Sequence, residues 1–113
     1  MITVEKLKEY GADIGDGLSR CMNNEAFYLK LVGMVVNDKN IYGLKEALDA
    51  GNLDKAFEHA HALKGVASNL ALTPIVKPVA EMTELLRARK DMDYTELYSK
   101  AAAAFEELRS ICE

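Results

Sequence analysis

The run His61-Ala62-Leu63-Lys64-Gly65-Val66-Ala67-Ser68-Asn69-Leu70 decides the fold of this 113-residue chain, because its apolar residues return with the period of an α-helix. An advance of about 100° per residue, counted from His61, gathers the apolar residues between roughly 180° and 280°. A stripe of that width is typical of a helix packed against a bundle. The stripe consists of Leu53, Ala56, Ala60, Leu63, Ala67 and Leu70. The sequence therefore predicts a helix whose opposite side, with His61, faces water.

Lys64, Gly65 and Ser68 share the side of this helix that carries His61. Lys64 can bring a compact positive charge beside the imidazole. Gly65 costs about 1 kcal/mol relative to alanine within a helix, and we interpret it as clearance above His61, since helical side chains lean towards the N-terminus. An accessible, neutral imidazole nitrogen is a nucleophile. Each residue alone is compatible with an inert surface, but their combination at helical spacing favours a histidine that accepts a phosphoryl group.

The remainder of the chain predicts helices joined by turns, with no strand signal and no repeat. Short connections between the principal helices predict an all-α fold, an antiparallel up-down-up-down four-helix bundle whose short N-terminal helices cover one end. The principal helices are expected over about 25–37, 39–50 and 53–70, then from Thr73-Pro74 onwards and from about Asp93 onwards.

Three local features of these helices are also predicted. Thr3 and Asp16 are expected to cap the two short N-terminal helices, and Thr73 is expected to cap the helix whose first residue is Pro74. Pro78 is expected to distort its helix, because it cannot donate a hydrogen bond to the carbonyl of Pro74. In the segment 25–37 the residues expected to face the core are Phe27, Leu31, Met34 and Val35.

The composition predicts a single domain over residues 1–113, since 50% of the residues are hydrophobic and 28% are charged. The net charge of −4 argues against a nucleic-acid partner, and the apolar runs are too short to cross a membrane. The N-terminus lacks a signal-peptide pattern, so we expect a cytoplasmic protein, and Met1 with short flanks favours a free-standing one. Cys21 and Cys112 lack metal-ligand spacing and are expected to be reduced.

Other chemistries find less support in the same residues. Glu58 and His61 form a Glu-x-x-His pair, but a di-iron bundle needs a second copy of it. His59 lies about 160° away from His61 around the helix, so the two imidazoles cannot share a metal ion, and we expect no metal and no cofactor. Without a glycine-rich phosphate loop or a nucleophile elbow, the chain is not expected to be an enzyme. Any phosphoryl group that it carries must come from another protein.

The run that begins at His61 resembles the motif of histidine phosphotransfer (HPt) domains, which reads His-x-Leu-Lys-Gly, then small residues, then an apolar-glycine pair. The chain matches this motif over 61–68 and continues with Asn69-Leu70-Ala71, where Ala71 stands at the frequent glycine. The resemblance extends from about Gly11 to Leu108. It includes the stretch 23–28 and the turn at 50–52.

This resemblance implies a phosphorelay intermediate, in which His61 takes a phosphoryl group from the aspartate of one response-regulator receiver and passes it to another. It implies a hybrid sensor histidine kinase as a further partner, and any metal ion would belong to the receiver. It also places Thr83 beside the imidazole as a hydrogen-bond partner, with Glu81 and Glu84 as competing candidates. We expect the protein to be a monomer.

By the same resemblance, the receiver is expected to dock on the surface around Phe57, Lys64 and Gly65, extended by Ile14 and Leu18 from an N-terminal helix. The alternative hypothesis is a helical bundle that binds and inhibits a receiver or a kinase without transferring a phosphoryl group. A nucleophile, a cation and a clearance glycine at one place favour transfer.

Overall fold

The computed structural model describes all 113 residues, and it contains α-helices and no β-strand. This confirms the predicted all-α class. None of the helices combines the length and the hydropathy that a membrane-spanning segment needs. The seven helices are α1 (Val4–Tyr10), α2 (Ile14–Arg20), α3 (Glu25–Val35), α4 (Asn40–Asp49), α5 (Leu53–Asn69), α6 (Thr73–Arg87) and α7 (Thr95–Cys112).

The bundle is organised around α5, which packs against α4 on one side and α6 on the other, while α6 also packs against α7. The hydroxyl of Tyr98 on α7 donates to the carbonyl of Ile41 on α4 at 3.0 Å and joins the first and last segments of the bundle. The start of α5 meets the end of α6, where Asp54 pairs with Arg89. Neighbouring helices therefore run antiparallel, as predicted.

The first segment of the bundle is interrupted. It consists of α3 and then α4, which lie one after the other alongside α5. Tyr28 on α3 donates its hydroxyl to the carbonyl of Leu70 at 2.9 Å, whereas Asn40 at the start of α4 bonds to His59 at 2.9 Å. The residue number along α3 and α4 rises from 28 to 40 while that of its partner on α5 falls from 70 to 59, so the two run in opposite directions. The two helices form one antiparallel segment with a break at residues 36–39, which gives four segments in the bundle.

The two short N-terminal helices cover the end of the bundle where α5 passes into α6. The hydroxyl of Tyr10 donates to the carbonyl of Ala104 on α7 at 2.8 Å, and the amide of Asp13 donates to the carbonyl of Ala71 at 2.9 Å. Thr3 caps α1 as predicted. The prediction for Asp16 is wrong, because Asp13 caps α2 by accepting from the amide of Asp16 at 3.1 Å.

The predicted inward face of α3 is also wrong, except for Val35. Phe27 and Met34 are exposed, with 41% and 59% of their surface accessible, and Leu31 is half-buried. The residues that face the core are Tyr28, Val32 and Val35. Because apolar residues surround almost the whole of α3, their spacing fits two different faces, and the buried Tyr28 hydrogen bond selects the observed one.

The helix α6 begins at Thr73 and continues through Pro78, which lies buried inside it. Thr73 is the first helical residue and makes no capping hydrogen bond, so its predicted role as a cap is wrong. Pro78 follows Pro74 within the first two turns, so that the helix loses a single hydrogen bond near its end. Ala71, just before α6, adopts the left-handed conformation with φ 54° that glycine favours.

Candidate functional site

The site is built on α5, whose start is fixed by its own sequence. The side chain of Asn52 caps the helix by accepting from the amide of Lys55 at 3.1 Å. The predicted apolar stripe lies in the core, with Leu53 half-buried at its edge. Its buried members are Ala56, Ala60, Leu63, Ala67 and Leu70. Burial of this stripe holds α5 in one rotational orientation and turns the opposite side towards solvent.

His61 lies on the solvent side of α5 and is exposed. Neither of its ring nitrogens has a hydrogen-bond partner within the protein. Its ring stacks on Phe57, one turn earlier, with the centroids 5.5 Å apart and the planes at 7°. Both nitrogens are therefore free to react with a group brought by another molecule.

Lys64 and Gly65 follow His61 by one turn on the same side of α5. Lys64 is half-buried and forms no ion pair, whereas each arginine of the chain is within reach of a carboxylate. Gly65 is exposed, and a Cβ atom placed on it would meet nothing within 4 Å. Ser68, one turn further, is half-buried. A cation without an ion-pair partner and a position with open space therefore follow His61 by one turn of α5.

Two arginines beside the site were not predicted from the sequence. The guanidinium carbons of Arg87 and Arg89 each lie 5.0 Å from the ring centroid of Phe57. Arg89 also donates from Nε to Asp54 at 2.6 Å and from Nη1 to the carbonyl of Leu86 at 2.7 Å. The predicted antiparallel arrangement could have indicated these arginines, because it places the end of α6 beside the first turns of α5.

The other side of the site is apolar. A shallow groove of about 330 Å³ lies between α3 and the second half of α5. Gly65 lies between this groove and the two arginines. Its lining includes Leu31, Met34 and Val66, and Met34 is mostly exposed. His61 thus lies on a surface that changes from two ion-paired arginines beside α6 to an apolar groove beside α3.

Thr83 does not bond to His61, so its predicted role as the partner of the imidazole is wrong. It is fully buried, and its hydroxyl donates to the carbonyl of Val79 on its own helix at 2.7 Å. A threonine inside a helix commonly makes this bond to the residue four positions earlier. Of the competing candidates, Glu84 pairs with Arg87 at 3.2 Å and Glu81 points into solvent.

Ile14 and Leu18 are not brought next to His61. Both lie on α2, are half-buried and pack on the core. Gly17, between them, faces the carbonyl of Leu70, which lies nine residues beyond His61. At a rise of about 1.5 Å per residue this separation is about 13 Å along α5. The two side chains can contact only the outer part of a large docked partner.

His59 and His61 have separate surroundings. Nδ1 of His59 bonds to the side-chain oxygen of Asn40 at 2.9 Å, and the ring is half-buried between α4 and α5. We therefore describe His59 as a packing residue. His61, by contrast, is turned to solvent by α5 and has no such partner.

Fold and site together define a class: a small helical bundle that presents one unpartnered histidine, with a lysine and a glycine one turn later. Residues 37–111 match the model of the Hpt domain family, which covers about two thirds of the chain. The chain therefore belongs to the Hpt domain family, whose members carry phosphoryl groups on histidine in phosphorelays and have no kinase activity of their own. Comparisons with curated proteins and with solved structures gave no significant match.

Proposed function

We propose that His61 accepts a phosphoryl group from the aspartyl phosphate of one receiver domain and transfers it to the aspartate of a second. The observation that carries this proposal is the state of His61, which is exposed and has no hydrogen-bond partner while the stripe opposite it is buried. An exposed imidazole with free nitrogens meets the first requirement of a nucleophile that reacts with a group on another protein.

In the forward step, the lone pair of one imidazole nitrogen of His61 attacks the phosphorus of the donor's acyl phosphate. A nitrogen–phosphorus bond forms as the phosphorus–oxygen bond breaks, and the donor aspartate leaves as a carboxylate. The second ring nitrogen keeps its proton until the ring loses it to solvent. In the return step the second ring nitrogen takes a proton back from solvent, a carboxylate of the acceptor receiver attacks the same phosphorus, and neutral imidazole leaves as the nitrogen–phosphorus bond breaks.

Lys64 supplies positive charge for this step. Its ammonium group has no carboxylate partner within the protein, so it is available to the phosphoryl oxygens. Docking of a receiver would remove water from the site and strengthen this attraction. Ser68 lies about 10 Å beyond His61 along the same side, too far to reach the same oxygens, and we propose that it hydrogen-bonds the receiver backbone.

The partner is proposed to dock over His61 and Gly65, across the boundary between the groove beside α3 and the arginines beside α6. Gly65 leaves the approach open, and Met34 offers exposed apolar surface on one side. Ile14 and Leu18 are proposed for the rim of this surface. Receivers are the proposed partners of a monomer, together with a hybrid sensor histidine kinase, and the exchange is proposed for the cytoplasm, where ATP drives such kinases.

We propose further that residues 1–113 act as one domain. The family match begins at residue 37, but α1 and α2 are joined to the matched part by buried hydrogen bonds. Tyr10 bonds to α7, and Asp13 bonds to the turn before α6. Removal of α1 and α2 would therefore expose one end of the core.

Incubation with a radiolabelled phospho-receiver tests the function. The expected product is a label on this chain that is labile in acid and stable in alkali, as a phosphoramidate should be. His61→Gln is expected to abolish the label, and His59→Gln, the matched control, is expected to keep it. A label that survives His61→Gln would refute the site. Binding of phospho-receivers without any label would favour the alternative, an inhibitory bundle that does not transfer.

A further inference from the structure

We propose that Phe57 is a positioning residue for His61 and that Arg87 and Arg89 hold Phe57 in place; this inference rests on the proposed phosphoryl transfer. The two rings are parallel within 7°, with centroids 5.5 Å apart. No hydrogen bond within the protein fixes the imidazole, so the stacking contact with Phe57 is what restricts its orientation. The lone pair of an imidazole nitrogen lies in the plane of the ring, so the stack also sets the direction from which phosphorus must approach.

Arg89 is anchored to both helices of the site. It lies just beyond α6 with φ 54°, and its amide donates to the carbonyl of Leu86 at 2.9 Å. Its guanidinium donates to the same carbonyl from Nη1 and to Asp54 on α5 from Nε. A guanidinium held in this way 5.0 Å from the centroid of Phe57 forms a cation–π contact with the ring.

Arg87 makes the second contact with the ring of Phe57, also at 5.0 Å. Its Nε donates to Glu84 at 3.2 Å, one turn earlier on α6. Phe57 itself is half-buried and packs on the core. The ring is thus held by the core, by two guanidinium groups and by the imidazole, and it has little freedom to rotate.

Positioning of His61 differs from docking of a receiver, which is the role that the sequence predicted for Phe57, and kinetics can separate the two roles. A residue that orients His61 acts after the receiver has bound, so its loss lowers the first-order rate constant of transfer at saturating receiver. A residue that contacts the receiver contributes to binding, so its loss raises the half-saturating receiver concentration. The two roles therefore predict changes in different kinetic parameters.

The test uses the full chain and four variants. Phe57→Leu removes the ring and keeps apolar volume, Phe57→Tyr keeps the ring, and Arg89→Met removes the guanidinium that joins α5 and α6. Tyr42→Leu is the matched control, because Tyr42 is an exposed aromatic residue that bonds to Arg109 of α7, away from the site. Two quantities are measured: the NMR shifts of the His61 ring protons in the free protein, and single-turnover transfer from a phospho-receiver at increasing concentration.

In the wild type, the ring current of Phe57 is expected to shift the His61 ring protons upfield. Phe57→Leu should abolish this shift and lower the first-order constant by about tenfold or more, within the 100-fold that a misplacement of about 1 Å can cause. Arg89→Met should reduce both effects in part. Phe57→Tyr should restore the shift and the rate, and Tyr42→Leu should change neither.

The inference is overturned if Phe57→Leu leaves the first-order constant unchanged, or if it changes only the half-saturating concentration. It is also overturned if the wild-type shifts show no stacked ring. Each of these results can occur while the wild type transfers normally, in which case the proposed function stands. Failure of the wild type itself to become labelled would instead refute the proposed function.

Discussion

The imidazole of His59 rests against the backbone of Gly43, so closely that a Cβ atom at position 43 would lie 2.5 Å from Cε1 of the ring. Asn40 holds the ring there through Nδ1. The contact lets α4 approach α5 and explains why one of the two histidines is unavailable for chemistry. It also gives the glycine on α4 a packing role, in contrast to Gly65 on α5, which faces open space.

Gly43→Ala is therefore expected to destabilise the fold by about 1–3 kcal/mol, because the ring or the helix must shift to admit the methyl group. Gly65→Ala is the matched control and should stabilise the fold by about 1 kcal/mol, the usual gain for alanine in a helix. Urea unfolding followed by circular dichroism measures both. Equal effects in the two variants would contradict the packing role of Gly43.

The predicted and the observed structure agree best at α5, and the reason is visible in its residues. Polar and apolar positions alternate there with a single helical phase, so the exposure of His61 and the burial of Leu63 follow from spacing alone. On α3 the spacing fits two faces, and the choice depends on a hydrogen bond between Tyr28 and Leu70, 42 positions apart. Local periodicity carries no information about such a contact.

The immediate surroundings of His61 show the same division. Lys64 and Gly65 could be predicted because they share its helix and lie one turn away. The contacts of Phe57 with Arg87 and Arg89 could not, since they depend on where α6 ends and on the left-handed conformation of Arg89. The prediction for Thr83 is wrong for a related reason, because the rotation of α6 buries its side chain.

Leu63 and His61 provide a direct test of the orientation of α5. Leu63→Ala is expected to cost about 2–5 kcal/mol of unfolding free energy, since the side chain is 1% exposed in the core. His61→Gln, on the solvent side, should change the free energy by less than about 0.5 kcal/mol. Urea unfolding of the two variants measures the difference. The reverse order of effects would mean that α5 is rotated.

The turn between α5 and α6 is formed at a cost, because Ala71 adopts φ 54°. A residue with a Cβ atom is disfavoured in this region by roughly 1–2 kcal/mol. Glycine avoids this cost, but part of the gain is offset because glycine loses more conformational entropy on folding. Ala71 is buried, but it is not part of the apolar core cluster. Ala71→Gly is therefore expected to raise the thermal midpoint and to stabilise the fold by about 0.5–1 kcal/mol. A lower midpoint would show that the methyl group packs.

Tyr28 makes the fold sensitive to alkaline pH. Burial raises the pKa of its hydroxyl to about 12, above the value of 10.0 that it has in the unfolded chain. Between these two values the unfolded state loses the proton first, so the contribution of Tyr28 to stability is complete below pH 10 and falls as the pH rises towards 12. Urea unfolding at about pH 9, 10 and 11 is expected to show this loss of stability in the wild type and a smaller loss in Tyr28→Phe. Parallel curves for the two proteins would contradict it.

Gly65→Gln tests whether the open space beside His61 serves the approach of a partner. No atom lies within 4 Å of the position that a Cβ would take, so the variant should be at least as stable as the wild type. The long side chain would lean towards the N-terminus of α5 and occupy the space above the imidazole. The half-saturating concentration of phospho-receiver is therefore expected to rise, whereas the His61 ring-proton shifts in the free protein stay in place. Gly65→Ala, which adds only a methyl group, separates steric obstruction from the loss of glycine itself. Normal transfer by a folded Gly65→Gln protein would show that receivers approach His61 from another direction.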